Sequence, residues 1–170
     1  MATSLTATVS ASISWTFSNA LTGSINTVNS NQWSYSKSTT NGTGAAGTAD
    51  LIYAAAGTIA ASATLNLDFA GSLASFFGTT ITMARMKFLF LHHTTDTTAT
   101  SLTIGNHANP LALTSGTDTI SLRNGGILLF GDSGGTGIAI TGGATDALKI
   151  VNADGANTAT YNVCAIGGSA

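Results

Sequence analysis

Glutamate is absent from this sequence, and only 7% of its 170 residues are charged, against roughly 25% in an average soluble domain. Exposed helix faces usually carry Glu and Lys, so the shortage argues against an all-α protein. Threonine and serine supply the polarity instead, with 29 and 18 residues. Because the branched Cβ of threonine suits a pleated surface, this composition favours β-strands.

Positive charge, long apolar runs and paired cysteines are also missing. The net charge is −2 at pH 7, which argues against a basic patch for nucleic acid. No uninterrupted apolar run approaches the ~20 residues of a membrane-spanning helix, and the N-terminus lacks the pattern of a secretory signal. Cys164 stands alone, so no internal disulfide can form. We therefore expect one domain over residues 1–170, made in a cytoplasm, with neither membrane nor nucleic acid as partner.

The N-terminal segment alternates strictly between apolar and hydroxylated residues. From Leu5 to Phe17 every odd position is apolar and every even position is Ser or Thr, which predicts a strand with two different faces. A strand of this length spans about 40 Å, more than most strands in compact domains. It either bends between two sheets or, as we favour, makes residues 1–18 an arm that docks on a neighbouring subunit. A short strand is expected at 32–37 and a flexible loop at 38–48.

Short strands separated by turn residues make up the rest of the chain. Three large apolar residues break the alternation at 70–78 and predict a short helical turn there. The dipeptides Asn124-Gly125 and Asp154-Gly155 predict hairpin turns. The spacing predicts an all-β fold, a jelly-roll-like β-sandwich with that one helical turn. Its strands are expected at 50–56, 58–69, 80–92, 101–104, 117–122, 126–130, 137–141, 147–151 and 158–166.

One short string, Gly131-Asp132-Ser133-Gly134-Gly135, is similar to the sequence around the nucleophile of chymotrypsin-like serine proteases. That chemistry needs a base within hydrogen-bond reach of the serine and a carboxylate behind the base. The upstream histidines, His92, His93 and His107, are too close in sequence for the two-barrel fold of those enzymes. We therefore interpret the string as a glycine-rich turn and predict no catalytic residue, no cofactor and no enzymatic activity.

The histidines, together with Asp96, are also a candidate metal or anion site. His92 and His93 are adjacent in a predicted strand, however, so their side chains should point to opposite faces. We expect them to line a strand end or a subunit contact, and we predict no metal site. Arg85 and Lys87 share one face of the same strand and need solvent or an aspartate partner. Cys164 is expected to be a small buried apolar residue.

A series of short motifs runs through residues 60–168. They are Leu65-Asn66-Leu67-Asp68-Phe69, Phe77-Gly78, Ala84-Arg85-Met86-Lys87, Asn124-Gly125-Gly126, Thr145-Asp146-Ala147-Leu148-Lys149-Ile150 and the closing strand from Tyr161 to Gly167. In this order they resemble small all-β virion structural proteins of tailed bacteriophages and prophages, of the head-decoration or head-fibre type. The resemblance implies a β fold and a place in the virion, with no active-site residue to carry over.

From this resemblance and the scarcity of charge we predict a non-enzymatic capsid decoration or stabilising subunit located in the virion. We expect it to form a homotrimer and to bind the major capsid protein or other virion proteins, since a subunit covered by neighbours needs few surface charges. A tail, fibre or capsid-building subunit is the alternative. A carbohydrate-binding β-sandwich is a further alternative, for which Trp33 and Tyr35 are the best candidate residues.

Overall fold

A computed structural model describes residues 4–20, 26–95, 100–132 and 134–170. All of the regular structure in these ranges is β-strand, which confirms the predicted all-β fold class. Contacts within the chain divide it into two units, where the sequence predicts one domain. The smaller unit is Ala7–Ser38, and the larger contains residues 39–170 together with the segment before Ala7.

The smaller unit is a long β-hairpin. Its strands come from β1 (Ala7–Ala20) and β2 (Asn26–Asn41), which are neighbours in one sheet. The predicted N-terminal strand is therefore present but paired within its own chain, and the predicted strand at 32–37 is the middle of β2. The two strands run antiparallel, as two hydroxyl hydrogen bonds across them show: Thr8 with Ser38 at 2.9 Å and Ser10 with Ser36 at 3.2 Å.

The end of β2 belongs to the larger unit. There Thr40 and Asn41 pair in parallel with β3 (Thr48–Ala49), and Thr39 is buried. The loop predicted at 38–48 is therefore confined to residues 42–47. The threonines that precede it continue the strand, in keeping with their preference for extended backbone.

Eleven further strands complete the larger unit within the described ranges. They are β4 (Leu51–Ile59), β5 (Thr64–Asp68), β6 (Leu73–Ala74), β7 (Thr80–Ile81), β8 (Arg85–His93), β9 (Ser101–Gly105), β10 (Thr119–Arg123), β11 (Ile127–Gly131), β12 (Ile138–Ala139), β13 (Ala147–Asn152) and β14 (Ala159–Gly168). A five-stranded sheet has the order β11-β8-β14-β4, with β12 also paired to β8. A four-stranded sheet has the order β10-β9-β13-β5.

The first half of this unit pairs with its second half in a nested way. β4 pairs with β14, β5 with β13, β8 with β11, and β9 with β10, and each pair is antiparallel. Successive nested pairs lie alternately in the five-stranded and the four-stranded sheet. Pairing of β14 with β8 and of β13 with β9 then joins the pairs within each sheet.

The two sheets share one hydrophobic core, which makes the larger unit a β-sandwich. Leu89 and Leu91 of β8 point inward from one sheet, while Ile104 of β9 and Ile150 of β13 point inward from the other, and all four are completely buried. The inward residues recur at every second position, as the alternation of a strand requires. Burial of each such side chain contributes roughly 1.5–3 kcal/mol, so this layer stabilises the fold without a disulfide.

The prediction of a helical turn at 70–78 is wrong. The segment contains β6 and then reverses tightly into β7, with which β6 pairs. Ser75 Oγ accepts hydrogen bonds from the backbone N–H groups of Phe77 at 3.2 Å and Thr79 at 3.3 Å. These bonds close a serine-based turn in place of a helical one, and they leave Phe76 and Phe77 exposed at its tip.

Neither of the two predicted hairpin turns closes a hairpin. The strands before and after Asn124-Gly125 lie in different sheets, as do the strands before and after Asp154-Gly155. The first dipeptide does reverse the chain, with φ of +70° at Gly125 and a 2.8 Å hydrogen bond from Gly126 N–H to Arg123 O. Turn residues thus specify the local reversal, whereas packing of the two sheets decides which strand the chain joins next.

Candidate interaction surfaces

One face of the hairpin carries large apolar side chains that are open to solvent. From Ala7 to Ser18 the even-numbered residues of β1 carry hydroxyls and the odd-numbered ones carry the apolar side chains. On β2 the same face also contains polar residues, among them Asn29 and Lys37. Ile13 is 66% exposed, Phe17 69% and Trp33 of β2 71%. The ring of Trp15 meets that of Trp33 edge-on at a centroid distance of 5.4 Å, and its Nε1–H donates to Asn29 Oδ1 at 3.0 Å. Large apolar side chains clustered on a surface in this way mark an interaction site.

The outer face of the five-stranded sheet is largely apolar, and its two polar members, His92 and Asn162, lie in one row between Ile127 and Ala56. Residues directly opposite each other on paired strands share a face, so Phe90 of β8 lies between Leu129 of β11 and Cys164 of β14. Cys164 in turn lies opposite Ala54 of β4. Ile127 is 59% exposed and Leu129 39%. We call the following six uncharged residues the apolar sheet face: Ala54, Ala56, Phe90, Ile127, Leu129 and Cys164.

The outer face of the four-stranded sheet is polar by contrast. Its inward residues include Leu102 and Ile104, which are buried, and the residues between them point to solvent. A sandwich sheet in water normally shows this alternation of apolar inside and polar outside. The four-stranded sheet therefore suits contact with solvent, whereas the apolar sheet face suits contact with protein. Val151 also points outward, between Thr64 and Thr103, and the outward polar residues are Thr64, Asn66, Asp68, Ser101, Thr103, Thr119, Ser121, Arg123 and Lys149.

Phe76 stands between two depressions beside the apolar sheet face. The first is a shallow depression of about 360 Å³, and its lining includes Phe76, Ala54, Ala56, Phe90 and Cys164. Three of these five side chains are small, so the depression has room for a large side chain from outside. The second, about 340 Å³, has mixed chemistry, with Phe76, Phe77, Leu51 and Ile52 beside the carboxyl of Asp50 and the hydroxyls of Ser75 and Thr79.

The glycine-rich string after β11 is organised by its aspartate. Asp132 Oδ1 accepts a hydrogen bond from Gly135 N–H at 3.0 Å, and Asp132 Oδ2 accepts one from Gly137 N–H at 3.2 Å. Both carboxylate oxygens therefore hold the loop, which is the usual behaviour of a turn-forming aspartate. Ser133 lies outside the described residues.

His92 and His93 point to opposite faces of β8, as the strand period predicts. His93 is completely buried, with Nδ1 3.3 Å from Leu122 O and with Nε2 buried away from any hydrogen-bond partner. The His92 ring lies outside, 6.3 Å from the Phe90 ring between centroids. One metal ion on either face of the sheet therefore reaches only one of the two rings.

His107 takes part in a local turn. Its Nδ1 accepts a 3.0 Å hydrogen bond from the backbone N–H of Asn109. The ring therefore helps to hold the turn. Asp96, the remaining member of the candidate metal set, lies outside the described residues. In the part of the chain that the structure describes, no group of three or more His, Cys, Asp or Glu side chains is placed to hold a metal ion.

Lys87 is completely buried. Its Nζ donates to the carbonyl oxygens of Gly135 at 3.1 Å and Ala45 at 3.4 Å. Burial lowers the pKa of the Lys87 amino group, while the nearby Asp132 carboxylate acts in the opposite direction. Arg85 donates instead to a threonine hydroxyl at 3.3 Å. Lys87 thus connects two loops to the sheet through backbone carbonyls, with an aspartate close by.

The apolar sheet face was not foreseen from the sequence. Cys164, expected in the interior, is only half-buried there, and burial raises the pKa of its thiol. The apolar run at 88–91 lies in β8, and such a run is typical of a strand covered on both faces. In this chain one face of β8 lies on the core and the other lies on the outside. The absence of apolar/polar alternation at 88–91 was therefore the feature of the sequence that could have predicted an apolar outer face on β8.

Comparison with known proteins identifies no relative: no family model, no curated protein and no solved structure matches this chain. In the described ranges, no helix has the length and apolarity needed to cross a bilayer. Function is therefore inferred from the two apolar surfaces and from the residues around them.

Proposed function

We propose that this protein is a non-enzymatic structural subunit of a phage-type virion, which forms a homotrimer and decorates or stabilises the capsid. Its partners are copies of itself and the major capsid protein or other virion proteins. The hairpin Ala7–Ser38 takes the role that the sequence suggested for an N-terminal strand, an arm that docks on a neighbouring subunit. The protein is made in the host cytoplasm and acts in the particle.

The apolar sheet face is the observation that carries this proposal. Monomeric soluble proteins rarely expose large contiguous apolar patches, and such patches mark interaction sites. Here a sandwich with one polar and one largely apolar outer face also has few charges to keep a free monomer in solution. A subunit that buries one sheet against its neighbours and presents hydroxyls on the other accounts for both features.

The strand order supports the same proposal. Nested antiparallel pairs that alternate between two sheets are the arrangement of a jelly roll, an architecture found in viral capsid and lectin domains. We therefore include jelly-roll topology in the proposal. Because one fold serves many functions, the strand order supports the virion role only together with the apolar sheet face.

Analysis of purified particles tests this function. Particles banded by density from the culture that makes the protein should contain its peptides at a fixed ratio to the major shell protein. Electron microscopy of the same particles should place the copies on the head, in groups of three. Copies on the tail or on fibres would support the alternative virion role instead. Particles that lack the protein entirely would refute the proposal.

A carbohydrate-binding module is the second candidate. Trp33 and Tyr35 are exposed on the hairpin, and exposed aromatic rings are suited to stacking on sugars. A glycan array tests this role, with Trp33→Ala as the variant that should lose any signal and Ser34→Ala, on the same strand, as its control. An array without hits would remove the candidate.

A further inference from the structure

Two different surfaces with large apolar side chains are exposed in the described residues: the exposed face of the hairpin and the apolar sheet face. From their shapes we infer that the hairpin of one copy docks on the apolar sheet face of the next copy, so that three copies close into a ring. This inference deepens the proposed function and rests on its homotrimer, for which it names the contacting surfaces.

The two surfaces differ in shape in a complementary way. The hairpin carries large projecting side chains, of which Ile13, Phe17 and Trp33 are the most exposed. The sheet face has a shallow depression whose lining includes the small side chains of Ala54, Ala56 and Cys164. Projections pack poorly against projections, and a depression against a depression leaves a void. Contact between unlike surfaces therefore fills space better than contact of either surface with its own copy.

Symmetry leads to the same pairing. Contact of a surface with its own copy is isologous and produces pairs, whereas contact between two different surfaces is heterologous and produces rings when the rotation closes. A homotrimer is a ring of three. It therefore needs two distinct surfaces on each chain, and the hairpin face and the apolar sheet face are two such surfaces.

The areas are large enough for a stable ring. At about 3.4 Å per residue and about 10 Å of width, 12 residues of β1 with their partners on β2 present about 400 Å². Three strands of the sheet are about 30 Å long and β11 is about 17 Å long, so at about 4.8 Å spacing they offer about 540 Å² to receive them. One contact therefore buries about 800 Å² over its two sides, and removal of one subunit from a closed ring breaks two contacts, about 1,600 Å² in total, which is the standard size of a stable interface.

Two variants separate the surfaces. The hairpin variant, Ile13→Thr with Phe17→Thr, removes two projections but keeps residues that favour strands. The sheet-face variant, Ala56→Gln with Leu129→Thr, fills the depression and removes apolar area. Analytical ultracentrifugation of the wild type should give three times the chain mass of 16.9 kDa. Each variant alone should give the mass of a single chain, with an unfolding midpoint that shows the fold intact.

Mixing the two variants is the decisive measurement. The hairpin variant keeps its sheet face and the sheet-face variant keeps its hairpin, so one heterologous contact forms between them. The two tryptophans of the chain, Trp15 and Trp33, both lie on the hairpin. Titration of the hairpin variant into the sheet-face variant should therefore shift tryptophan emission to shorter wavelength, with saturation at equal amounts. A trimer formed by either variant alone, or a mixture without a shift, would overturn the inferred contact.

Matched controls change the opposite faces. Ser12→Thr with Ser14→Thr alters the hydroxyl face of the hairpin, and Ser121→Gln alters the polar outer face of the four-stranded sheet. Both controls should keep the wild-type mass. A trimeric wild type whose variants do not complement each other refutes the contact and leaves the homotrimer standing. A wild-type mass of one or two chains refutes the contact and the homotrimer together. The particle analysis tests the virion role separately.

Discussion

The Nζ atom of Lys87 lies 3.1 Å from the carbonyl oxygen of Gly135, on a side chain with no exposed surface. A second bond, to Ala45 O, connects the same ammonium group to the loop before β3. One buried cation thus fixes the positions of two loops that are distant in sequence. A buried charge is costly unless its partners satisfy it, so the stability of this region should depend on the protonation of Lys87.

We expect the free energy of unfolding to rise with pH in the alkaline range because of Lys87. Burial lowers the pKa of its amino group below the usual value of 10.5 in the folded chain, while the unfolded chain titrates at about 10.4. Between these two pKa values the unfolded chain binds more protons, so an increase in pH favours the folded state. Urea unfolding midpoints between about pH 7 and 10 measure the slope.

Lys87→Met is the control, because it keeps the apolar stem and removes the titrating group. The thiol of Cys164 has a raised pKa, so its titration gives a slope of the opposite sign. Both proteins are therefore compared in a Cys164→Ala background. The prediction is contradicted if the free energy of unfolding rises equally steeply with pH in the protein with Lys87 and in its Lys87→Met variant.

Asn152 is a buried polar side chain that bonds to three backbone carbonyls. It is completely buried, and its Nδ2 donates to Ile59 O at 3.0 Å, Ala60 O at 3.1 Å and Asn157 O at 2.8 Å. Asn152→Ala leaves these carbonyls without their donor and should lower the free energy of unfolding by about 2–3 kcal/mol. Urea unfolding at neutral pH measures the loss.

Asn152→Asp sharpens the same prediction. The substitution replaces the donor by a carboxylate oxygen that faces carbonyl oxygens, so it should destabilise the fold more than Asn152→Ala does. Part of the loss should be recovered at acid pH, where the carboxyl is protonated. The matched control is Asn66→Ala on the exposed face of β5, with an expected change within about 0.5 kcal/mol. Equal losses for the Asn152 and Asn66 alanine variants would refute the role of the buried amide.

Local features predicted several strands well, because alternation and turn residues are properties of neighbouring positions. The strands expected at 58–69 and 80–92 are wrong in extent: β5 is only Thr64–Asp68, and the second is divided into β7 and β8. The strand expected at 101–104 is Ser101–Gly105, and the one expected at 147–151 is Ala147–Asn152. The break expected at Gly57 is absent, since β4 continues through it. Gly57 lies opposite Tyr161, and a Cβ there would lie 3.0 Å from the tyrosine hydroxyl oxygen and 3.2 Å from the ring. The glycine therefore makes room for a distant aromatic residue, which no local pattern reveals.

Contacts between distant residues also explain why the sequence did not reveal the two candidate interaction surfaces. Alternation at 5–17 predicted the two faces of β1 correctly, but it did not reveal that β2 pairs along it. The apolar run at 88–91 indicated contacts on both faces of β8, but it did not reveal that the outer face is partly exposed in the described part of the chain. Which strand pairs with which, and which face remains open, depend on contacts between residues far apart in sequence.

Gly167 occupies a position where the backbones of two strands approach closely. The pairing of β14 with β8 shifts register between Ile166 and Gly167, and a Cβ at Gly167 would clash with the carbonyl oxygen of Arg85. Gly167→Ala should therefore lower the free energy of unfolding by about 1–3 kcal/mol, the usual effect of overpacking. Gly134→Ala is the control, since no atom lies within 4 Å of its Cβ position. Equal stability of the two variants would contradict the close approach.

The reactivity of Cys164 should report on the cover of the apolar sheet face. Its thiol has a pKa raised above 9.0 by burial, and the thiolate is the reactive form. Alkylation by a maleimide should therefore be slow at neutral pH and should continue to accelerate above pH 9. The inferred contact places a neighbouring copy over the depression that Cys164 lines. The rate should then be lower than in the hairpin variant Ile13→Thr with Phe17→Thr, whose own sheet face is unchanged. Equal rates in the trimer and in that variant would mean that the face stays open, because nothing else near Cys164 differs between the two proteins.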